Sequence, residues 1–124
     1  MSQSASQAAA FRRDLCSNGG KLWTIEDDGG YPAPETSEGK RSMPFWSTKS
    51  RVDKIIANVE AYSGFRPREV DLAEFEDDFL PDLEENDMLV GVNWSGAKAK
   101  GYDVEPASVR RWLEALRESG ELSD

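Results

Sequence analysis

The sequence predicts an α+β fold: a single domain in which about four helices pack on a small, mostly antiparallel sheet of about four or five strands. Three observations carry that expectation. Short stretches alternate apolar and polar residues, or run apolar throughout, at 21–27, 41–46 and 88–94. Elsewhere apolar residues recur every three or four positions, at 52–62, 72–83 and 109–116. The resulting order is α-β-β-α-(β)-α-β-β-α. The 124 residues suit one domain spanning 1–124, large enough to bury a core, with 1–5 and 119–124 expected as flexible tails.

The first helix covers residues 4–18. Ser4 and Gln7 have capping-box spacing, Ala8, Phe11 and Leu15 form a short apolar stripe, and Gly19 and Gly20 supply the stop. The strand at 21–27 puts Trp23 and Ile25 on one face, with Leu22 and Thr24 on the other. Asp28, Gly29 and Gly30 turn the chain into a polar, Pro-containing excursion, 31–39. A second strand, Arg41 to Trp46, leads to Ser47 as the expected N-cap of a helix whose buried face is Val52, Ile55, Ile56, Val59 and Tyr62, ending at Gly64.

Residues 66–71 form an extended link, with Pro67 arguing against a central strand. Asp71 is placed to cap the next helix, whose apolar positions are Leu72, Phe75, Phe79, Leu80 and Leu83. Met88 to Trp94 is apolar enough to be central and covered on both faces, with Met88, Val90, Val92 and Trp94 on one side and Asn93 on the other. Tyr102 and Val104 belong to a partner strand. Pro106 opens the last helix, where its missing N–H costs nothing, and Val109, Trp112, Leu113 and Leu116 give that helix its buried side.

The formal charge of −9 is local. Residues 71–87 hold nine carboxylates and no Lys or Arg, whereas the remaining fifteen acids balance fifteen bases. Two readings stand for that stretch: a solvated helix face, or a surface that steers a basic protein partner. The second gains from the missing bases, since a helix built only for solubility normally carries i,i+4 acid–base pairs. On that reading Glu74, Asp77, Asp78, Asp82, Glu84 and Glu85 make the contact. The charge should repel nucleic acid and anionic membrane, both of which are bound through Lys and Arg.

Several chemistries lack their residues. With no histidine, the commonest general base near neutral pH is missing; the single Cys16 forms no internal disulfide and sits near a helix end that disfavours its thiolate. The carboxylate spacings at 26–29 and 71–87 do not fit a calcium loop, and zinc or iron sites draw on His or several Cys, so no metal is expected. No nucleophile elbow or phosphate-binding glycine loop occurs, and neither a catalytic residue nor a cofactor is assigned. Two alternatives remain: a small hydrolase using paired carboxylates near Trp46 or Trp94, and a ligand-binding module around Gly91 to Asn93, with Trp46, Asn93 and Trp94 nearest the ligand. A turn-capping role for Asn93 competes with the latter. The N-terminus shows no secretory signal and no apolar run would span a bilayer, which sets the expectation of a cytoplasmic protein.

Four motifs together resemble the bacterial domain of unknown function family 2750: Leu22 to Ile25, Met43 to Ser47 opening a helix, Leu89 to Trp94, and the G-x-x-V-x-P run from Gly101 to Pro106. The likeness runs from about Phe11 to Leu116. The order of elements is also similar to the N-terminal domain of the SseB family, where a P-F/V-W/F-S/T strand feeds a helix and an L-V-x-N strand precedes a V-x-P helix start. The resemblance implies a small bacterial α+β domain that binds other proteins, and implies no catalytic residue. The acidic 71–87 stretch and the 31–39 loop depart from both families. The leading expectation is therefore a non-enzymatic protein-binding module, in its pointed form an immunity or inhibitor protein whose acidic helix covers a basic site such as a nuclease presents.

Overall fold

Five strands and the helices around them form an α+β domain in the structure, a computed structural model that describes residues 3–122. Helix α1 (Gln3–Ser17) leads into β1 (Lys21–Glu26), then β2 (Ser42–Phe45) and α2 (Lys49–Asn58). Strand β3 (Arg66–Asp71) follows, and then an acidic helical segment in three pieces: α3 (Leu72–Glu74), a π turn (Phe75–Phe79) and α4 (Leu80–Glu85). Strands β4 (Leu89–Ser95) and β5 (Lys100–Val104) precede α5 (Pro106–Glu118). The side chain of Ser4, expected to cap α1, lies outside the described residues, as do the chain ends at 1–2 and 123–124. At the other end, Ser119 to Glu121 are exposed, while Leu122 is buried in the core and its N–H bonds Leu116 O at 3.1 Å.

Two small sheets meet at one point. β1 and β3 pair antiparallel; β4 lies between β2, which it pairs in parallel, and β5, which it pairs antiparallel. Trp23 and Trp46 exchange both backbone hydrogen bonds, at 2.8 and 2.7 Å, and so join β1 to β2. The strands therefore run in the order β3-β1-β2-β4-β5. Pro67 is tolerated because β3 is an edge. The 66–71 link is thus a strand, and the parallel β2–β4 pairing exists because α2, β3 and the acidic segment form the long crossover that such a pair needs.

One sheet face carries the main core. Leu22, Phe45, Val90 and Val92 meet Phe11 and Leu15 of α1, Phe75, Leu80 and Leu83 of the acidic segment, and Val109 and Leu113 of α5. The other face carries a smaller core, in which Ile25, Trp46 and Trp94 pack under Val52, Ile55 and Val59 of α2 and its exit turn. Helix α2 is short. It ends at Asn58, and Val59 and Tyr62 continue into a 3-10 turn (Glu60–Tyr62) instead of extending the helix to Gly64. The β5 side of this second face therefore stays open, and that opening positions the cavity described below.

Candidate functional site

At the C-terminal end of β4 the strand breaks its alternation. Asn93 adopts φ +50°, a left-handed conformation that Asn tolerates better than most residues, and the β4–β5 register slips between Val92 and Ser95. The bulge has two consequences. First, it turns Trp94 onto the face opposite Val90 and Val92, which corrects the same-face placement expected from period-two alternation. Second, it aims the Asn93 side chain into a buried polar junction. There Asn93 Oδ1 accepts from Ser47 N at 2.9 Å, and Asn93 Nδ2 donates to Ser47 Oγ at 3.0 Å. Ser47 Oγ donates to Asp14 Oδ2 at 2.8 Å, and Gln7 Nε2 donates to Asn93 O at 3.0 Å. With its own backbone and hydroxyl engaged this way, Ser47 does not cap α2. Thr48 does, accepting from Arg51 N at 3.2 Å, one residue later than the sequence suggested.

The junction ties α1, the end of β2 and the bulge of β4 together. Asn93, Ser47 and Thr24 are therefore interior fastenings: Asn93 is 1% exposed, and Thr24 Oγ1 donates to Pro44 O at 2.8 Å. Trp46 is likewise sealed, with its indole N–H donated to Trp94 O at 2.8 Å. Of the three residues expected beside a ligand, Trp94 alone walls open space.

Trp94 lies on a glycine bed. A Cβ on Gly91 would sit 2.5 Å from its Cε2 and Cζ2, and one on Gly101 would sit 2.7 Å from its Cδ1. Asp103 holds the ring edge, accepting from Trp94 Nε1 at 3.2 Å and from Ser42 Oγ at 2.6 Å. A cavity of about 690 Å³ opens here, walled by Glu35 and Thr36 of the 31–41 loop, Glu60 and Tyr62 of the 3-10 turn, and Lys98 and Asp103 of the β4–β5 hairpin. A second cavity of about 500 Å³ shares Trp94 and runs along α2 past Arg51 and Lys54. The loop that forms the first wall is pinned: Thr36 N bonds Lys40 O at 2.7 Å and Ser42 N bonds Pro34 O at 3.0 Å. Burial pushes the Tyr62 phenol up, so it stays a neutral hydroxyl.

The acidic segment packs on the other sheet face, and its geometry overturns one expectation. Its bases are supplied by other elements. Arg68 of β3 grips Glu74 with both terminal nitrogens at 2.6 Å, Arg110 of α5 grips Glu84 at 2.8 and 3.1 Å, and Arg117 of α5 pairs with both oxygens of Glu76. Hydrogen bonds from Arg68 and Arg110 hold the Glu74 and Glu84 carboxyls below the usual range. Asp71 caps α3 as expected, accepting from Glu74 N at 2.8 Å. Pro81 has no N–H to offer Asp77 O and its ring would press on that carbonyl, and the widened turn just ahead of it removes the conflict. Phe75 and Phe79 both meet Phe45 edge-on, which anchors the turn.

Asp87 pairs with Lys40 at 3.0 Å, and with Asp71 engaged as a cap the carboxylates left without an ion pair are Asp77, Asp78, Asp82 and Glu85. All four are exposed, and no Lys or Arg of the described residues lies in ion-pair range of them. Of the six acids expected to make the contact, Glu74 and Glu84 are thus tied to internal partners and the other four face solvent. Cys16 is half-buried against the main core, and burial with the nearby Glu121 carboxylate pushes its thiol up, away from the reactive thiolate.

Among the described residues no helix is long and apolar enough to cross a membrane. A family model described as "Protein of unknown function (DUF2750)" matches residues 8–118. No curated protein matches the chain at a significant level. Among solved structures, the chain is similar to one titled "Anabaena Tic22 (protein transport)", with a TM-score of 0.40 and 11% identity over 91% of this chain. The chain spans 54% of that structure, about half its length.

Proposed function

The chain belongs to the DUF2750 family, and on that premise we propose that it is a cytoplasmic, non-enzymatic protein-binding module of immunity or inhibitor type that receives a basic partner on its acidic segment. One observation carries the reading. Asp77, Asp78, Asp82 and Glu85 project together without an ion pair to a described residue, only Asp77 lying within the field of Arg110, while the arginine pairs at Glu74, Glu76 and Glu84 fasten the segment that presents them. Asp78, Asp82 and Glu85 follow each other at four and three residues, which sets them on one side of the helix. Carboxylates held this way repel one another, and a cationic surface relieves that repulsion as it docks. Such a surface acts chiefly on encounter rate and on partner choice.

Affinity capture from the native host at low ionic strength, followed by elution at high salt, names the partner. Association kinetics then test the ridge. Converting Asp77, Asp78 and Asp82 to Asn and Glu85 to Gln should slow association about 10- to 100-fold at low salt. The dissociation rate should change far less, and the melting temperature should hold or rise slightly as repulsion is removed. Association with the captured partner that ignores both ionic strength and the four substitutions would rule the ridge out.

A further inference from the structure

We propose that the larger Trp94 cavity is a binding site for an alkylammonium or guanidinium group, distinct from the acidic ridge and on the opposite face of the sheet. Its volume, about 690 Å³, lies in the range that small ligands occupy. Its wall carries three carboxylates, Glu35, Glu60 and Asp103, against one described base, Lys98. Glu35 and Glu60 make no ion pair with any described residue, so their charge is available to a guest. Asp103 is held in place: one oxygen accepts from Ser42 Oγ and Trp94 Nε1, and the other is bonded by no described residue.

Aromatic surface complements that charge. Trp94 and Tyr62 line the same space, and an aliphatic stem laid against them with its cationic head among the carboxylates satisfies both halves of such a group. The neighbouring cavity sharpens the inference. It shares Trp94 but is lined by no carboxylate and carries Lys54 together with Arg51, whose charge is met by Asp14 at 3.4 Å, so the sign of charge reverses from one side of the indole to the other. A cation is drawn to the first space and turned away from the second.

The test follows the Trp94 indole N–H by NMR, assigned through its loss in Trp94→Phe, while spermidine or N-acetyl-arginine amide is titrated into the whole protein. The citrulline amide, neutral and nearly the same shape, is the control. Saturable movement of the Trp94 signal is expected with the cations and not with citrulline. Glu35→Gln with Glu60→Gln should weaken binding about tenfold or more, the worth of a charge-assisted hydrogen bond. Neither side chain has a described partner to lose, so the fold should be undisturbed. Lys98→Gln should tighten binding, and neutralising the four ridge acids should leave it unchanged. Both cations support the site, and the tighter one distinguishes a free amine from the side chain of a protein. Equal binding of citrulline, an unmoved indole, or full affinity in the Glu35 and Glu60 double variant would overturn the proposal.

Discussion

Replacing Asn93 by Ala tests the junction on which the site's geometry rests. The substitution removes the acceptor for Ser47 N and the donor to Ser47 Oγ, both in a place closed to water. An orphaned buried N–H costs about 1–3 kcal/mol. A Cβ-bearing residue without a side-chain hydrogen bond to sustain φ +50° adds about 1–2 kcal/mol. Together the loss is about 2–5 kcal/mol, a large share of the roughly 5–15 kcal/mol by which a domain is stable. Asn93→Gly separates the two parts, because glycine accepts the left-handed conformation freely. It should lose only the hydrogen-bond share and be more stable than Asn93→Ala by about 1 kcal/mol. Urea unfolding followed by tryptophan fluorescence measures both, with a midpoint that moves and a slope that does not. An Ala variant within about 0.5 kcal/mol of the parent, or a Gly variant no better than Ala, would refute the reasoning.

Three further outcomes follow from the same geometry. Gly91→Ala should destabilise by about 1–3 kcal/mol or more, since its Cβ meets a rigid ring that Gly101 also confines; combined with Trp94→Leu, the added cost should largely vanish in a double-mutant cycle. Thr48→Ala should cost about 1 kcal/mol as a lost helix cap, whereas Ser47→Ala should cost more because it opens the buried junction; equal losses would return the cap to Ser47. Glu74 and Glu84 titrate lower when folded than when unfolded, so their pairs stabilise fully above the unfolded value of about 4.3 and lose that contribution as pH falls through the folded value. The Arg68–Glu74 pair, with side chains 28% and 29% exposed, should outweigh Arg110–Glu84 at 37% and 39%. Arg68→Gln should therefore flatten the acid limb of a melting-temperature profile more than Arg110→Gln does.

Much of the architecture was legible because it follows period. Val52, Ile55 and Val59 recur as a buried helix face must, and Leu89 to Trp94 is apolar because β4 is central and covered on both sides. What escaped is long-range or depends on a single dihedral. The bases that meet Glu74, Glu76 and Glu84 lie 6, 41 and 26 residues away, counting Arg68, Arg117 and Arg110 respectively, so a local count of charge finds a bare acidic helix. Trp94 changed faces because one residue, Asn93, left the strand conformation. The available signals were an Asn next to a turn and two glycines, 91 and 101, whose shared purpose is to bed one indole. The cavity was illegible for the same reason: Glu35, Glu60 and Asp103 are scattered through the sequence and converge only through the fold.

The two charged features differ in how the chain disposes of their charge, and that difference decides what each can do. On the acidic segment, three arginines neutralise the inner carboxylates and leave the outer four to act at a distance through water, where salt screens them over about 8 Å. In the cavity, Glu35, Glu60 and Asp103 are exposed as well, but they line one concave space beside Trp94 instead of a helix surface. Salt should therefore weaken both, and neutralising one set of carboxylates at a time tells them apart. Since the sheet separates them, a cation that moves the Trp94 signal in a variant whose ridge has been neutralised acts from the cavity alone.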